Sequence, residues 1–296
     1  MIRDSPEELL SIIRSFAPDP KKPVPVARRE YSAFYHEFQG EAAESARQDR
    51  FDISPGLQGS WISLPEPATD RVVLFFHGGG FTAGSTDDHL GMCTRIARAA
   101  KADVFSVDYR LAPENVFPAA AEDAAAAYRF LTANGIRPHR IVPVGISAGG
   151  TLVLDLLLAL RDEGAAMPPA AVCISPVVDM LFGGESMKKN LEQDWLTPAR
   201  LDAMRSHYLA GHDPTDPRAS PAYAHLNGLP RLYVQAGSHE LLFDSIGTFV
   251  DKARWAGVPV QFEVWEGMFH CWQIFAEQIP EGREAIDHIG AFLQSV

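Results

Sequence analysis

Ile141-Val142-Pro143-Val144 runs directly into Gly145-Ile146-Ser147-Ala148-Gly149-Gly150, and a long apolar helical pattern, Ala148–Glu163, follows. Strand, Gly-x-Ser-x-Gly, helix is the order of a nucleophile elbow, in which a tight turn pushes the serine hydroxyl out above a sheet. Small residues flank Ser147 because such a turn leaves no room for side chains. Ser147 is thereby the candidate attacking group of a hydrolase. The motif is short enough to arise by chance, so its weight depends on what the rest of the chain supplies and where.

Working outward, the pattern from residue 60 onward alternates strand and helix. Expected strands are Trp61–Leu64, Val72–Phe76, Val104–Val107, Ile141–Val144, Ala171–Ile174, Leu232–Gln235 and Gln261–Trp265. Several are near-continuous apolar runs, as in strands covered on both faces. Helical patterns lie at Asp88–Ala100, Ala119–Asn134, Ala148–Glu163, Ser245–Gly257 and Gly282–Ser295. This implies an α/β fold with a mostly parallel central sheet flanked by helices.

Ahead of it, Ser5-Pro6-Glu7-Glu8 reads as a helix start, with Ser5 as cap and Glu8 reaching back. Ala17-Pro18-Asp19-Pro20-Lys21-Lys22-Pro23 breaks that helix. A second helix carries Tyr31, Phe34, Tyr35 and Phe38 on one face. That face either packs on the body of the protein or partly roofs a pocket. Between Ile174 and Leu232 the interval is too long for a simple connection, and Pro198–Leu209 within it looks helical. The expected division is N-terminal cap helices over 1–45 and a catalytic domain over 46–296, with 180–220 inserted as further cap.

Composition narrows the function classes. The 296 residues carry 26 basic and 38 acidic side chains, a net charge of −12, which argues against nucleic acid and anionic membrane surfaces as partners. Cys93, Cys173 and Cys271 show neither a disulfide framework nor metal-ligand spacing. No secretion signal opens the chain and no run is long and apolar enough for a bilayer, so a cytoplasmic protein is expected.

A serine hydroxyl needs a base within hydrogen-bond reach and an acid to orient that base. In a parallel sheet these come from loops after strand C-termini. Of ten histidines, His270 alone follows the last expected strand and precedes the last helix. The acid belongs between serine and histidine. After Leu232–Gln235 both Glu240 and Asp244 are available. Glu240 is nearer the strand end and is preferred; Asp244 falls in the first helical turn, where the dipole gives it a structural role. Asp179 is a third, weaker choice. For the oxyanion, Gly78, Gly79 and Gly80 follow Val72–Phe76 and His77, and bare glycine amides let a ligand approach. With the N–H of Ala148 they would form the hole. Neither phosphate-loop pattern fits at Gly78 or Gly145.

His77-Gly78-Gly79-Gly80, Gly145-Ile146-Ser147-Ala148-Gly149-Gly150 and Asp108-Tyr109-Arg110-Leu111-Ala112-Pro113-Glu114, in this order, resemble the bacterial hormone-sensitive-lipase-like esterases of the α/β-hydrolase fold. The resemblance runs from about residue 60, and the N-terminal helices suit that family's cap. It implies a carboxylic ester hydrolase that prefers short acyl chains, needs no metal or cofactor, acts on a small-molecule ester and forms homodimers. It places the nucleophile at Ser147, the base at His270 and the acid at Glu240. Family members often carry Asp at that last position, which keeps Asp244 open, and many carry Asp where this chain has Ile146. Asp108, Tyr109, Arg110 and Glu114 are read as a buried polar scaffold for the glycine loop. Phe34, Tyr35, Phe38, Trp195, Tyr208 and Phe269 are candidates for an apolar pocket wall. A lactonase or amidase on the same three residues is the alternative, since only pocket shape distinguishes them. A non-catalytic small-molecule receptor is disfavoured because Ser147 and His270 are both present.

Overall fold

In a computed structural model, residues 5–16, 22–65 and 69–296 are described. Much of the expected helix break, 17–21, lies outside them. Among these residues one eight-stranded sheet organises the fold, in the order β1-β2-β4-β3-β5-β6-β7-β8. The strands are β1 (Arg47–Ser54), β2 (Leu57–Ser63), β3 (Val72–Phe76), β4 (Asp103–Asp108), β5 (Ile141–Ile146), β6 (Ala170–Ile174), β7 (Arg231–Gly237) and β8 (Val260–Trp265). β1 and β2 pair antiparallel, as do β2 and β4; all pairs from β4 to β8 are parallel.

The helices are α1 (Pro6–Phe16), α2 (Val24–Phe38), α3 (Leu90–Ala100), α4 (Ala119–Ala133), α5 (Ala148–Asp162), α6 (Ser186–Lys189), α7 (Pro198–Leu209), α8 (Phe243–Trp255) and α9 (Pro280–Gln294). Ser5 does cap α1, its Oγ accepting from the Glu8 amide at 3.3 Å. The sheet divides the core in two because side chains alternate across a strand. Val72, Leu74 and Phe76 of β3 face one cluster with α4, α5 and α8. Val73 and Phe75 face the other, with α3 and α9. That double coverage explains why β3 reads as an unbroken apolar run.

β1 was not expected from the sequence. Its residues, Arg47-Gln48-Asp49-Arg50-Phe51-Asp52-Ile53-Ser54, lie on the sheet edge, exposed or half-exposed throughout, so no apolar alternation marks them. The expected strands and helices otherwise appear within a few residues of their sequence limits, and Pro198–Leu209 is α7 without adjustment.

The order of strands positions the site. After β3 the chain adds β4 on one side and β5 on the other, so the loops leaving β3 and β5 diverge above a crevice. Open α/β sheets hold their ligands at such a reversal. The loop after β3 contains Gly78–Gly80; the loop after β5 contains Ser147. The loops after β6, β7 and β8 follow in neighbouring positions, bringing Ser175, Glu240 and His270 to the same sheet end.

Candidate active site

Ser147 sits between β5 and α5 with φ 54° and ψ −119°, a backbone region that costs a non-glycine residue of order 1–3 kcal/mol. Packing on both sides enforces it. The Ser147 amide donates to the Ile174 carbonyl at 2.8 Å, and its carbonyl accepts from Gly150 N at 2.9 Å. A Cβ added to Gly145 would lie 2.1 Å from the Gly149 oxygen, and one on Gly149 would lie 2.0 Å from the Phe76 oxygen. Strand, helix and glycine loop therefore touch backbone to backbone, which is why glycines stand two residues to either side of the serine.

Glu240 reaches the site through a tight turn after β7, closed by its amide on the Gly237 carbonyl at 3.1 Å. Its side chain is wholly buried. Oε1 accepts from Ser175 Oγ and from Gly237 N, each at 2.7 Å. Oε2 accepts from His270 Nδ1 at 2.9 Å. With the proton on Nδ1, His270 Nε2 is an acceptor, and Ser147 Oγ donates to it at 2.9 Å. Hydroxyl, imidazole and carboxylate thus stand in one line of hydrogen bonds, the arrangement that lets an imidazole draw a proton from an attacking oxygen.

The imidazole's charge balance has three contributors. Burial acts most strongly and favours the neutral ring; the Cys271 sulfur and the Glu240 carboxylate oppose it, and the net direction is well upward. Burial also pushes the Cys271 thiol above its ordinary value, so it is protonated at neutral pH.

Asp244 is elsewhere. It lies in the first turn of α8, and its Oδ2 accepts from the Ser186 amide of α6 at 2.8 Å, while Ser186 Oγ accepts from the Asp244 amide. Its carboxylate tethers the insert rather than the imidazole. Asp179 accepts from Leu181 N and Tyr223 Oη.

Of the glycine run, Gly79 and Gly80 border the pocket that holds Ser147 and His270. Gly79 adopts φ 114° and its carbonyl closes a turn on Thr82 N and Ala83 N. Gly78 differs from expectation: its amide donates to His89 Nε2 at 3.3 Å. His89 must stay neutral to accept, and burial, with the neighbouring His77 ring, lowers its pKa to about 3. Ala148 N is at the first turn of α5, among the amides that a helix leaves without intrahelical partners.

The scaffold around the glycine loop is less unified than the sequence suggested. Tyr109 Oη donates to the His77 carbonyl at 2.9 Å and its ring stacks on His77. Asp108 accepts from Thr86 N. Arg110 instead pairs with Asp123 of α4. Glu114, more than half exposed, pairs with Arg28 of α2. Arg28 also donates to the carbonyls of Thr82 and Ala112, so α2 grips the glycine loop directly.

Among the aromatic candidates, Tyr35 and Trp195 border the pocket, together with Tyr31. Phe34 and Phe38 pack edge-on against Phe275. Tyr208 stacks on Phe81, and Phe269 contacts Phe275. The α2 face thus does both things expected of it, Tyr31 and Tyr35 toward the pocket and Phe34 and Phe38 into the core. Leu196, Leu201 and Met204 of the insert complete an apolar wall. Among the described residues, no helix is long and apolar enough to cross a membrane.

Sequence reasoning missed Ser175, Asn190 and Asp194. Asn190 and Asp194 act through backbone groups of other loops, which leaves no motif to read; Ser175 donates its hydroxyl to Glu240, and its one hint is that it directly follows a strand end at the catalytic side.

Comparison with known proteins bears on the fold and the family. A family profile described as the α/β-hydrolase fold matches residues 73–274. An acetyl-hydrolase of Streptomyces hygroscopicus is 44% identical over 236 residues, 79% of each chain. An esterase of Acinetobacter venetianus is 36% identical over 243 residues, 81% of this chain and 80% of that one. A crystal structure of an esterase from the bacterial hormone-sensitive lipase family superimposes with a TM-score of 0.93 at 42% identity, covering 99% of both chains. With the elbow, the glycine loop and the eight-stranded sheet all in place, this chain belongs to the bacterial hormone-sensitive lipase family of α/β-hydrolase-fold proteins.

Proposed function

We propose that this chain is a serine carboxylesterase that cleaves small-molecule esters through an acyl-enzyme, with a preference for short acyl chains. Ser147 attacks the ester carbonyl while His270 Nε2 takes its proton. Glu240 holds the Nδ1–H tautomer and stabilises the imidazolium as it forms. Gly79, Gly80 and Ala148 supply the amides for the oxyanion, with Gly78 shaping the loop. His270 then protonates the leaving alcohol. Water repeats the sequence and frees the acid.

The observation that carries this reading is the unbroken path Ser147 Oγ–His270 Nε2 and His270 Nδ1–Glu240 Oε2, each 2.9 Å, opening into an apolar pocket. The names of relatives agree, being esterase and acetyl-hydrolase. We read residues 1–45 and 180–220 as a cap over the 46–296 domain, supported by Arg28 and by the contact of Phe34 with Trp195.

The test is steady-state hydrolysis of p-nitrophenyl esters of increasing acyl length, with a fluorophosphonate label located by mass spectrometry. The expected result is turnover favouring acetyl and butyryl esters and a label on Ser147. A label on another residue, or no turnover of any ester, sinks the proposal.

A further inference from the structure

Beside the proposed proton path lies a buried carboxylate that the path does not use, Asp194. Asp194 is 1% exposed and belongs to the insert between β6 and β7, yet it binds two loops far from it in sequence. Oδ1 accepts from His270 N at 3.1 Å and from Trp195 N at 2.8 Å. Oδ2 accepts from Leu241 N at 2.8 Å. One carboxylate thus spans the loop of the base and the loop of the acid.

Its neighbours complete the grip. Asn190 Nδ2 donates to the carbonyls of Glu240, at 2.8 Å, and Ser238, at 3.0 Å. Trp195 Nε1 donates to the His270 carbonyl at 2.7 Å. The peptide N–H and C=O of His270 and the C=O of Glu240 are therefore all held by a single stretch of insert. From the other side, Arg14 of α1 donates to the Asp194 carbonyl at 2.9 Å and the Leu191 carbonyl at 3.0 Å.

We propose that Asp194 is a positioning residue: with Asn190 and Trp195 it fixes the backbones of His270 and Glu240, so that the cap sets the rate of turnover as well as the shape of the pocket. This rests on the esterase reading above. Backbone anchoring matters because small displacements of a base from its partner are costly; a misplacement of 1 Å reduces rate by about 10².

The electrostatics agree with a role beyond packing. Burial pushes Asp194 up to about 6, so its ionised form at neutral pH is held against its surroundings. The charged and titratable groups around it are His270 and Glu240 from the two loops, with Cys271 beside the ring. Arg14, paired to Glu192, reaches its main chain, and Arg200 donates to the Trp195 carbonyl. His270 and Asp194 attract each other when both are charged.

Asp194→Asn in the full-length chain tests this against wild type with p-nitrophenyl acetate. The shape is kept, one oxygen still accepts, and an NH₂ now opposes the Leu241 amide. The expected result is a fall in kcat on the order of 10- to 100-fold with KM nearly unchanged. The acid limb of kcat/KM should also move to lower pH, because losing a neighbouring negative charge favours the neutral imidazole. A variant that only melts earlier, with kcat and acid limb as in wild type, overturns the proposal. If Asp194→Asn does not fold, Asn190→Ser reads the same clamp from the Glu240 side: lowered kcat at constant KM supports it, and wild-type kcat overturns it. A wild-type chain inert toward every ester fells the functional reading, and this inference with it; an active wild type with an indifferent Asp194→Asn fells this inference alone.

Discussion

Replacing Glu240 with glutamine changes one atom, and the structure says which way the new amide must face. Two donors, Ser175 Oγ–H and Gly237 N–H, converge on Oε1 at 2.7 Å. Only an oxygen satisfies both, so the amide oxygen takes that place and the NH₂ is left opposite His270 Nδ1, 2.9 Å away. Nδ1 must then accept, which moves the ring proton to Nε2, the atom facing Ser147 Oγ. The base is present but in the wrong tautomer, and the developing imidazolium loses its counter-charge. The loss expected for such a change is about 10⁴ in kcat, or roughly 5 kcal/mol of transition-state stabilisation. The fold should hold, because every other bond to the side chain is kept. Asp244→Asn is the control: its oxygen can still accept from Ser186 N, so kcat should match wild type and stability should drop by about 1 kcal/mol or less. The assay is steady-state ester hydrolysis on both variants with thermal melts alongside. A crippled Asp244→Asn beside a healthy Glu240→Gln would refute the assignment of the acid.

The same pair shows what sequence can and cannot convey. Chain order limited the proposed acid to the stretch between serine and histidine, where loops leaving strand ends offer Glu240 and Asp244 after β7 and, more weakly, Asp179 after β6. Choosing between Glu240 and Asp244 needed the turn at Gly237, which folds Glu240 back over the strand while Asp244 continues into α8. Apolar runs such as Val72–Phe76 were legible since double burial removes polar residues from both faces. β1 was illegible for the opposite reason, its edge position leaving Arg47–Asp52 no apolar face. Gly78 shows the limit of a motif: three consecutive glycines look equivalent in sequence, but only the folded backbone turns the Gly78 amide toward His89. Asp194 and Asn190 were invisible because their partners are peptide groups, common to every residue.

Three further outcomes follow from the same geometry. Ser147→Ala should abolish turnover and retain the wild-type melt, while Ser147→Gly should melt higher than Ser147→Ala by about 1 kcal/mol, since glycine relieves the strain at φ 54°; equal melts would mean the elbow is unstrained. Gly149→Ala should cost about 3 kcal/mol or more in urea unfolding, because its Cβ would stand 2.0 Å from a backbone oxygen that cannot rotate away; a change under about 0.5 kcal/mol would show that helix and glycine loop separate freely. The pH profile tests the base itself. His270 must be neutral to accept the serine proton; burial favours that form, Cys271 and the Glu240 carboxylate favour the charged one, and the net direction is upward. Activity should therefore be present at alkaline pH and fall as pH drops through a midpoint at or above the ordinary histidine value of about 6.5. A profile flat down to pH 4 would mean that the ring 2.9 Å from Ser147 Oγ takes no proton from it.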